Sequence, residues 1–284
     1  MKAIFEMGSN QNMYFLFDVG GTKLRMAVSA DGATLGSHRI FPTPSTFAEG
    51  LALLKQEAVE MSRGERIKII VGGLAGSFNR DKSVLTSGKN IADWVGKPLK
   101  QELERHFGAR VLLENDAALS GLGEAIYGAG KGKEIVAYLT VSTGVGGARI
   151  VKGVIDPSAM GFEPGYQIID AGKSLCKGYN ARRLGALISG GALAKRLGKP
   201  AEQIDDISVW EQSAEFLAIG LNNVIVHWSP DVVILGGAVM QSIPLDRVRA
   251  HLASTLKPYP LPPTIARAEL GDLGGLWGGL ALAG

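Results

Sequence analysis

Residues 15–25 read Phe-Leu-Phe-Asp18-Val-Gly20-Gly21-Thr22-Lys23-Leu-Arg25, and the rest of the chain is organised around them. An apolar run of strand type delivers an acid, Asp18, into a Gly-Gly turn. A hydroxyl (Thr22) and a base (Lys23) follow, and a second strand-like run leaves over residues 24–29. Without a Cβ, Gly20 and Gly21 can take positive φ and let the backbone approach a ligand closely. Successive N–H groups in such a turn form a concave anion site, with Asp18 placed to hold a hydrated cation beside it. An ordinary hairpin whose Asp and Thr cap the turn is the plain alternative, because short glycine motifs are common.

Working outward, strand-like runs at 14–19, 24–29 and 34–40 are separated by Gly20-Gly21 and Asp31-Gly32, which predicts an antiparallel opening. Ser45 or Thr46 can cap a helix running to residue 61. The β-branched run at 67–71 suits a strand buried on both faces, and it ends in the expected loop Gly72-Gly73-Leu74-Ala75-Gly76. A helix over 98–107, a strand over 110–113 and a helix from Asn115-Asp116 to residue 127 follow.

The pattern then restarts. Strands at 134–141 and 147–151 flank Ser142-Thr143-Gly144-Val145-Gly146-Gly147. Helices are expected near 182–197 and 208–228, then a strand over 231–235 ending in Gly236-Gly237. A helix over 243–256, a strand over 264–268 and a glycine-rich helix over 273–283 close the chain. A strand–glycine loop–strand hairpin followed by helix and buried strand thus occurs twice. Two α/β domains facing one another would place the two glycine loops on opposite walls of a cleft, where ligands sit in open α/β folds. The expected boundaries are 13–115 and 116–284, with the last helix packing back on the first domain; residues 1–12 match no element and read as a leader or a disordered end.

Composition narrows the partners. With 284 residues, 46% of them apolar and 20% charged, the chain can bury a full core. A net charge of only +3, without a basic stripe interleaved with aromatics, argues against nucleic acid. The single cysteine, Cys176, rules out an intrachain disulfide framework. No apolar run reaches the ~18 residues of a membrane span, so no membrane partner is expected and cytoplasm is the default. The four histidines are too far apart for metal-ligand spacing. Gly172-Lys173-Ser174 resembles the end of a P-loop, but the glycine needed five residues earlier is Gln167.

The two glycine loops, one per half, suit a nucleotide gripped from two sides, with Lys23 and a divalent cation sharing neutralisation of the phosphates. Gly236-Gly237 could pack against an adenine or ribose, or simply turn a strand into a helix. Glu114-Asn115-Asp116 also reads two ways. It is an Asx helix cap, or it supplies Asp116 as general base and Asn115 as the amide that orients a substrate hydroxyl.

At these residues the chain resembles the ROK (repressor, open reading frame, kinase) sugar kinases of the actin/hexokinase/Hsp70 superfamily, over nearly all of residues 14–283. Asp18-Val-Gly-Gly-Thr-Lys23 resembles the first phosphate motif, and Trp94-Val-Gly-Lys-Pro-Leu99 the segment before the central strand. Glu114-Asn-Asp-Ala-Ala118 is similar to the catalytic motif, Ser142-Thr-Gly-Val-Gly-Gly147 to the second phosphate motif, and Leu235-Gly-Gly-Ala-Val239 to the adenosine motif. The resemblance implies two ribonuclease H-like domains with mixed sheets flanking a cleft, ATP with Mg²⁺, and transfer of the γ-phosphoryl group to a hexose hydroxyl, with glucose at O6 leading. It implies Asp116 as base and Asn115, Glu163, Tyr166, Gly76 and Asn90 on the sugar side. Gly20, Gly21, Thr22, Lys23, Thr143, Gly144, Gly146, Gly236 and Gly237 would lie on the nucleotide, and Asp18 on Mg²⁺ through water. It also implies a homodimer.

Two departures bear on substrate. The family's Glu-x-Gly-His stands here as Glu163-Pro-Gly-Tyr166, where Tyr166 either keeps one hydrogen-bonding hydroxyl for the sugar or packs as a core aromatic, and the Cys-rich run that holds a structural zinc in many members keeps only Cys176. Gly185 stands about where a second sugar-binding Glu is expected. The expectation is therefore a zinc-less kinase; a non-catalytic sugar sensor, a kinase for another sugar or alcohol, and polyphosphate as donor stay open.

Overall fold

In the computed structural model of the chain, residues 13–170, 179–257, 259 and 261–284 are described. Cys176 and the Gly172-Lys173-Ser174 run lie outside them, as do residues 1–12. The chain divides into two compact units: one runs to Glu114 and takes in Gly279–Gly284, the other is Asn115–Gly278.

The first unit is built from β1 (Met13–Val19), β2 (Lys23–Ser29), β3 (His38–Pro42), α1 (Phe47–Met61), β4 (Ile67–Leu74), the short ribbon β5 (Ser77–Phe78) and β6 (Leu85–Ser87), α2 (Leu99–Phe107) and β7 (Arg110–Asn115). Its main sheet runs β3-β2-β1-β4-β7. The first three strands are an antiparallel meander, and β4 joins β1 in parallel. Phe15 and Phe17 on β1, Leu24 and Met26 on β2, Ile70 on β4, Leu54 on α1 and Leu103 on α2 fill one core with Trp94. Each such side chain contributes about 1.5–3 kcal/mol by leaving water. α1 starts where expected: Thr46 accepts from the Glu49 amide and Glu49 reaches back to the Thr46 amide, a closed capping box.

The second unit is built from α3 (Asp116–Ile126), β8 (Ile135–Val141), β9 (Val145–Val151), β10 (Val154–Ile155), α4 (Leu184–Ile188), α5 (Gly190–Leu197), α6 (Ile207–Trp228), β11 (Val232–Gly236), α7 (Leu245–Thr255), β12 (Thr264–Arg267) and α8 (Gly274–Ala283), whose last residues belong to the first unit. Its sheet runs β10-β9-β8-β11-β12, again an antiparallel meander extended by parallel strands. The internal duplication is thus one of sheet order: meander, then parallel neighbour, in both units. The core lies among Leu139, Leu184, Leu187, Ile188, Leu217, Leu221, Ile225 and Val233.

Four sequence expectations change. Gly72 and Gly73 are not loop but the continuation of β4, paired with Phe17 and Asp18 of β1. A Cβ on Gly72 would lie 2.1 Å from the Phe17 ring, so glycine is there to seat the ring. The third strand begins at His38, because Asp31 Oδ1 accepts from the amides of Ala33 and Thr34 and curls the chain into a longer connection. β9 begins at Val145, leaving a tighter turn than expected. The single helix over 182–197 is two helices, broken at Ser189, whose ψ of 152° is extended and whose side chain caps the second.

Candidate functional site

In the first unit Asp18 and Arg25 face each other across the β1–β2 hairpin. A carboxylate whose side chain is only 10% exposed needs a partner, and Arg25 Nη1 lies 3.4 Å from Asp18 Oδ2. The turn Gly20-Gly21-Thr22 closes through the Gly20 amide on the Lys23 carbonyl at 3.0 Å. It is pinned by Thr43, which donates its hydroxyl to the Gly20 carbonyl at 2.7 Å and its amide to the Thr22 carbonyl at 3.0 Å. Thr22 and Lys23 are exposed. Neither Gly20 nor Gly21 takes a positive φ, against expectation. Gly21 is required for another reason: a Cβ there would lie 2.7 Å from the Asn90 Cβ. Gly76 is equally confined, with the Ser87 carbonyl 2.0 Å from where its Cβ would be. The structure therefore brings Gly21 to Asn90, and Gly76 to the segment that leads into Asn90. Thr43 escaped the sequence reading; its one signal is its place between Pro42 and Pro44, where the chain turns back towards the hairpin.

In the second unit Asn115 caps α3, accepting from the Ala118 amide at 3.0 Å through Oδ1, so the Asx-cap reading of this motif holds. Asp116 occupies the first turn, half-buried, with Oδ1 on the Ala117 amide at 2.9 Å. A helix start favours an ionised carboxylate. The second hairpin packs against this point: a Cβ on Gly146 would lie 3.2 Å from the Ala117 Cβ. At its tip the Ser142 amide donates to the Gly144 carbonyl at 2.8 Å, and the amides of Gly190 and Gly191, at the start of α5, donate to the carbonyls of Ser142 and Thr143 at 2.8 and 3.2 Å. Gly190 and Gly191 escaped the sequence reading; their signal is a Ser-Gly-Gly cap. Gly237, at φ +95°, joins the same cluster, since its Cβ would lie 2.4 Å from the Val141 carbonyl. Gly144 alone of these has nothing within 4 Å of its Cβ direction among the described residues.

Beneath the cluster Tyr138 is buried, 2.5 Å from the Cβ direction of Gly236. Burial pushes its hydroxyl well above the usual tyrosine range, with smaller pulls from hydrogen bonds to Thr140 and Ser120 and pushes from the charges of Glu124 and Asp116. Glu124, 1% exposed, anchors the far end of α3 by accepting from the amides of Glu269, Leu270 and Ala129 at 2.9, 2.8 and 3.1 Å.

Glu163 precedes a turn in which Pro164 leans on Gly147 and Gly165 on the Val145 carbonyl, so this turn packs along β9. Tyr166 is not a core aromatic. It is 61% exposed, with the Arg183 guanidinium 4.7 Å from its ring centroid. Gln167 ties the turn to α6, donating to the Pro164 carbonyl and accepting from Asn223 Nδ2, both at 2.9 Å. Gly185 faces the Gly165 carbonyl at 3.2 Å, which puts its missing side chain beside the same turn. Among the described residues no group of three or more His, Cys, Asp or Glu could hold a metal ion. Nor is any of their helices long and apolar enough to cross a membrane.

These features, in this order along two repeated sheets, coincide with the ROK family, which matches residues 14–284. The chain belongs to the ROK family. A glucokinase of Thermotoga maritima is 27% identical to this ROK protein over 79% of this chain and 81% of its own. An N-acetyl-D-glucosamine kinase of Escherichia fergusonii is 28% identical over 94% and 97%. Among solved structures, a ROK hexokinase from Thermus thermophilus superposes with a TM-score of 0.81 at 29% identity, over 95% of this chain and 97% of its own. A ROK glucokinase from Streptomyces griseus, in complex with glucose and AMPPNP, gives 0.78 at 23%, over 95% and 99%. A ROK family transcriptional regulator also shares the fold, with a TM-score of 0.77 at 16% identity over 96% of this chain and 80% of its own. The relatives of this ROK protein are thus mainly sugar kinases, and the fold itself serves a regulator too.

Proposed function

We propose that this ROK protein is an ATP-dependent sugar kinase that transfers the γ-phosphoryl group to a hydroxyl of a hexose, with glucose at O6 as the leading acceptor. The observation that carries the reading is the placement of Asp116. Its carboxylate is half-buried on the first turn of α3, and the next residue, Ala117, meets Gly146 of the second hairpin. An acceptor alcohol must lose its proton as it attacks, and a fixed carboxylate is the group to take it. Asn115 would meet a neighbouring hydroxyl through Nδ2, because its Oδ1 is committed to the Ala118 amide. Glu163, Tyr166, Gly76 and Asn90 complete the sugar side. The nucleotide would lie on Gly20, Gly21, Thr22 and Lys23 and on Thr143, Gly144, Gly146, Gly236 and Gly237.

The chemistry of the hairpins fits that substrate. Gly144 leaves open space where a side chain would stand, Gly190 and Gly191 begin a helix behind the loop, and Lys23 is exposed beside the first turn. Asp18 suits Mg²⁺ met through its water shell, since one of its oxygens already faces Arg25. When bound, Mg²⁺ neutralises phosphate charge. We take the protein to work as a cytoplasmic homodimer without zinc.

Two observations favour a second reading, a non-catalytic sugar sensor: an exposed Tyr166 stands where the family pattern has His, and Gly185 offers no carboxylate beside it. A coupled ADP-release assay over glucose, other hexoses and N-acetylhexosamines, with polyphosphate as an alternative donor, separates the two. Turnover with at least one sugar is expected, and Asp116→Asn should lower it by at least ~100-fold while sugar affinity survives. Nucleotide binding without turnover on any sugar favours the sensor, and near-normal turnover by Asp116→Asn removes Asp116 from the base role.

A further inference from the structure

Between β5 and β6 the chain makes a turn at residues 79–84 that is closed from within. Asn79 Oδ1 accepts from the amides of Ser83 and Val84 at 2.9 Å each. Asp81 Oδ1 accepts from the Ser83 hydroxyl at 2.8 Å and its amide at 3.3 Å. The Asn79 carbonyl accepts from the Lys82 amide at 3.0 Å. This frame holds Lys82 at φ +57°, left-handed backbone that a residue with a Cβ disfavours.

Three other described non-glycine residues share that conformation, and each has a local reason. Arg63 and Ser229 end α1 and α6, and Lys152 forms a turn with Gly153, itself at +74°. Lys82 ends no helix. It lies in the turn between β5 and β6, and from there Lys82 Nζ lies 2.7 Å from Glu114 Oε1, passing 5.9 Å from the Phe78 ring centroid. The carboxylate side chain is only 11% exposed, the lysine side chain 33%, so the pair is shielded from solvent. Glu114 belongs to β7 and is followed by Asn115 and Asp116. The ribbon that carries Lys82 begins just after Gly76, pairs Ser77 with Ser87, and leads into Asn90 beside Gly21.

We infer that the Lys82–Glu114 ion pair is a positioning clamp that fixes the segment between Gly76 and Asn90 against the end of β7, and that it sets affinity for the sugar more than the rate of phosphoryl transfer. The inference rests on the kinase reading for its substrate, and it gives a role to Lys82, which lies outside the quoted motifs, and to Glu114, which opens the catalytic motif but receives no role from it. Lys82 and Glu114 are positioning residues that act through Gly76 and Asn90.

A merely structural turn and a positioning clamp answer Lys82→Gly differently. Glycine accepts φ +57° without strain but removes the cation. The clamp predicts that Lys82→Gly raises the sugar KM by about 10-fold while kcat and the nucleotide KM stay within about 2-fold. Lys82→Gly takes the lysine's charge away from the largely buried Glu114 carboxylate, so the double variant with Glu114→Gln, which carries neither charge, keeps the test clear of misfolding. Its sugar KM should stay as high as that of Lys82→Gly, and Lys82→Arg should stay near wild type. A folded double variant with the wild-type sugar KM, an equal rise in nucleotide KM, or a Lys82→Arg as weak as Lys82→Gly would overturn the clamp. If the wild type turns over no sugar, the kinase reading fails by itself. The clamp is then read by calorimetric sugar binding, where Lys82→Gly should lose about 10-fold in affinity; unchanged affinity, or no sugar bound by the wild type, overturns it.

Discussion

Gly144 and Gly237 belong to one cluster in the second unit, yet the two glycines exist for different reasons. Gly237 is held at φ +95° with the Val141 carbonyl 2.4 Å from its Cβ direction, so packing and backbone alone demand it. Gly144 has neither a positive φ nor a neighbour within 4 Å of its Cβ direction among the described residues. Packing therefore has no objection to a methyl group at 144; only something lying on the loop would. Gly144→Ala should fold with an unchanged thermal midpoint and raise the nucleotide KM by about 10-fold or more, since a methyl would stand between backbone amides and phosphate. Gly237→Ala should lose stability before any kinetic effect can be read. An unchanged nucleotide KM in Gly144→Ala would take the second hairpin off the nucleotide.

Among the elements, α1 shows how a boundary written in sequence becomes structure. The Thr46-to-Glu49 spacing is a capping-box signature, and both reciprocal bonds form. Thr46→Ala should cost about 1 kcal/mol, read as a lower denaturant midpoint of the first unit at constant m-value; no shift would mean the box is replaced by water. Other boundaries were illegible for physical reasons. The end of β4 reads as a glycine loop because nothing local announces that Phe17, on a different strand, needs the space above Gly72. The break at Ser189 hides inside an apolar stretch of helical period, and it is set by the Gly190 and Gly191 amides meeting the Ser142–Thr143 turn. The ribbon of β5 and β6 carries no alternation long enough to signal strands, and its pairing of Ser77 with Ser87 and Phe78 with Leu85 is interrupted by a register shift.

For the whole molecule, charge sets limits at both ends of the pH scale. Asp31, Glu49, Glu60, Asp81, Glu102 and Asp206 are all held below the usual carboxylate range, chiefly by hydrogen bonds to the charged form. A group depressed on folding contributes stability above its unfolded value, about 4, and loses it as the pH falls through the lower folded value. The thermal midpoint should therefore decline progressively below about pH 4. Tyr138 works in the opposite sense: burial raises it, so stability is lost as the pH climbs above the ordinary tyrosine value of about 10. Tyr138→Phe should flatten that alkaline limb and leave the acid limb in place; an unaltered alkaline limb would remove Tyr138 as its cause. By itself the sequence determined the α/β class, the repeated hairpin–helix–strand plan, the family and the positions of the two hairpin glycine turns and of Asn115-Asp116. All of these are local patterns, because periodicity, turn chemistry and caps are carried by neighbouring residues. Only the tertiary structure decided that Thr43 pins the first turn, that Gly190 and Gly191 back the second, that Tyr166 stacks under Arg183 at the surface, and that Lys82 reaches Glu114. Each of those pairs residues far apart in the chain, and which distant backbone or charge comes within reach is fixed by packing, not by any pattern that the residues carry themselves.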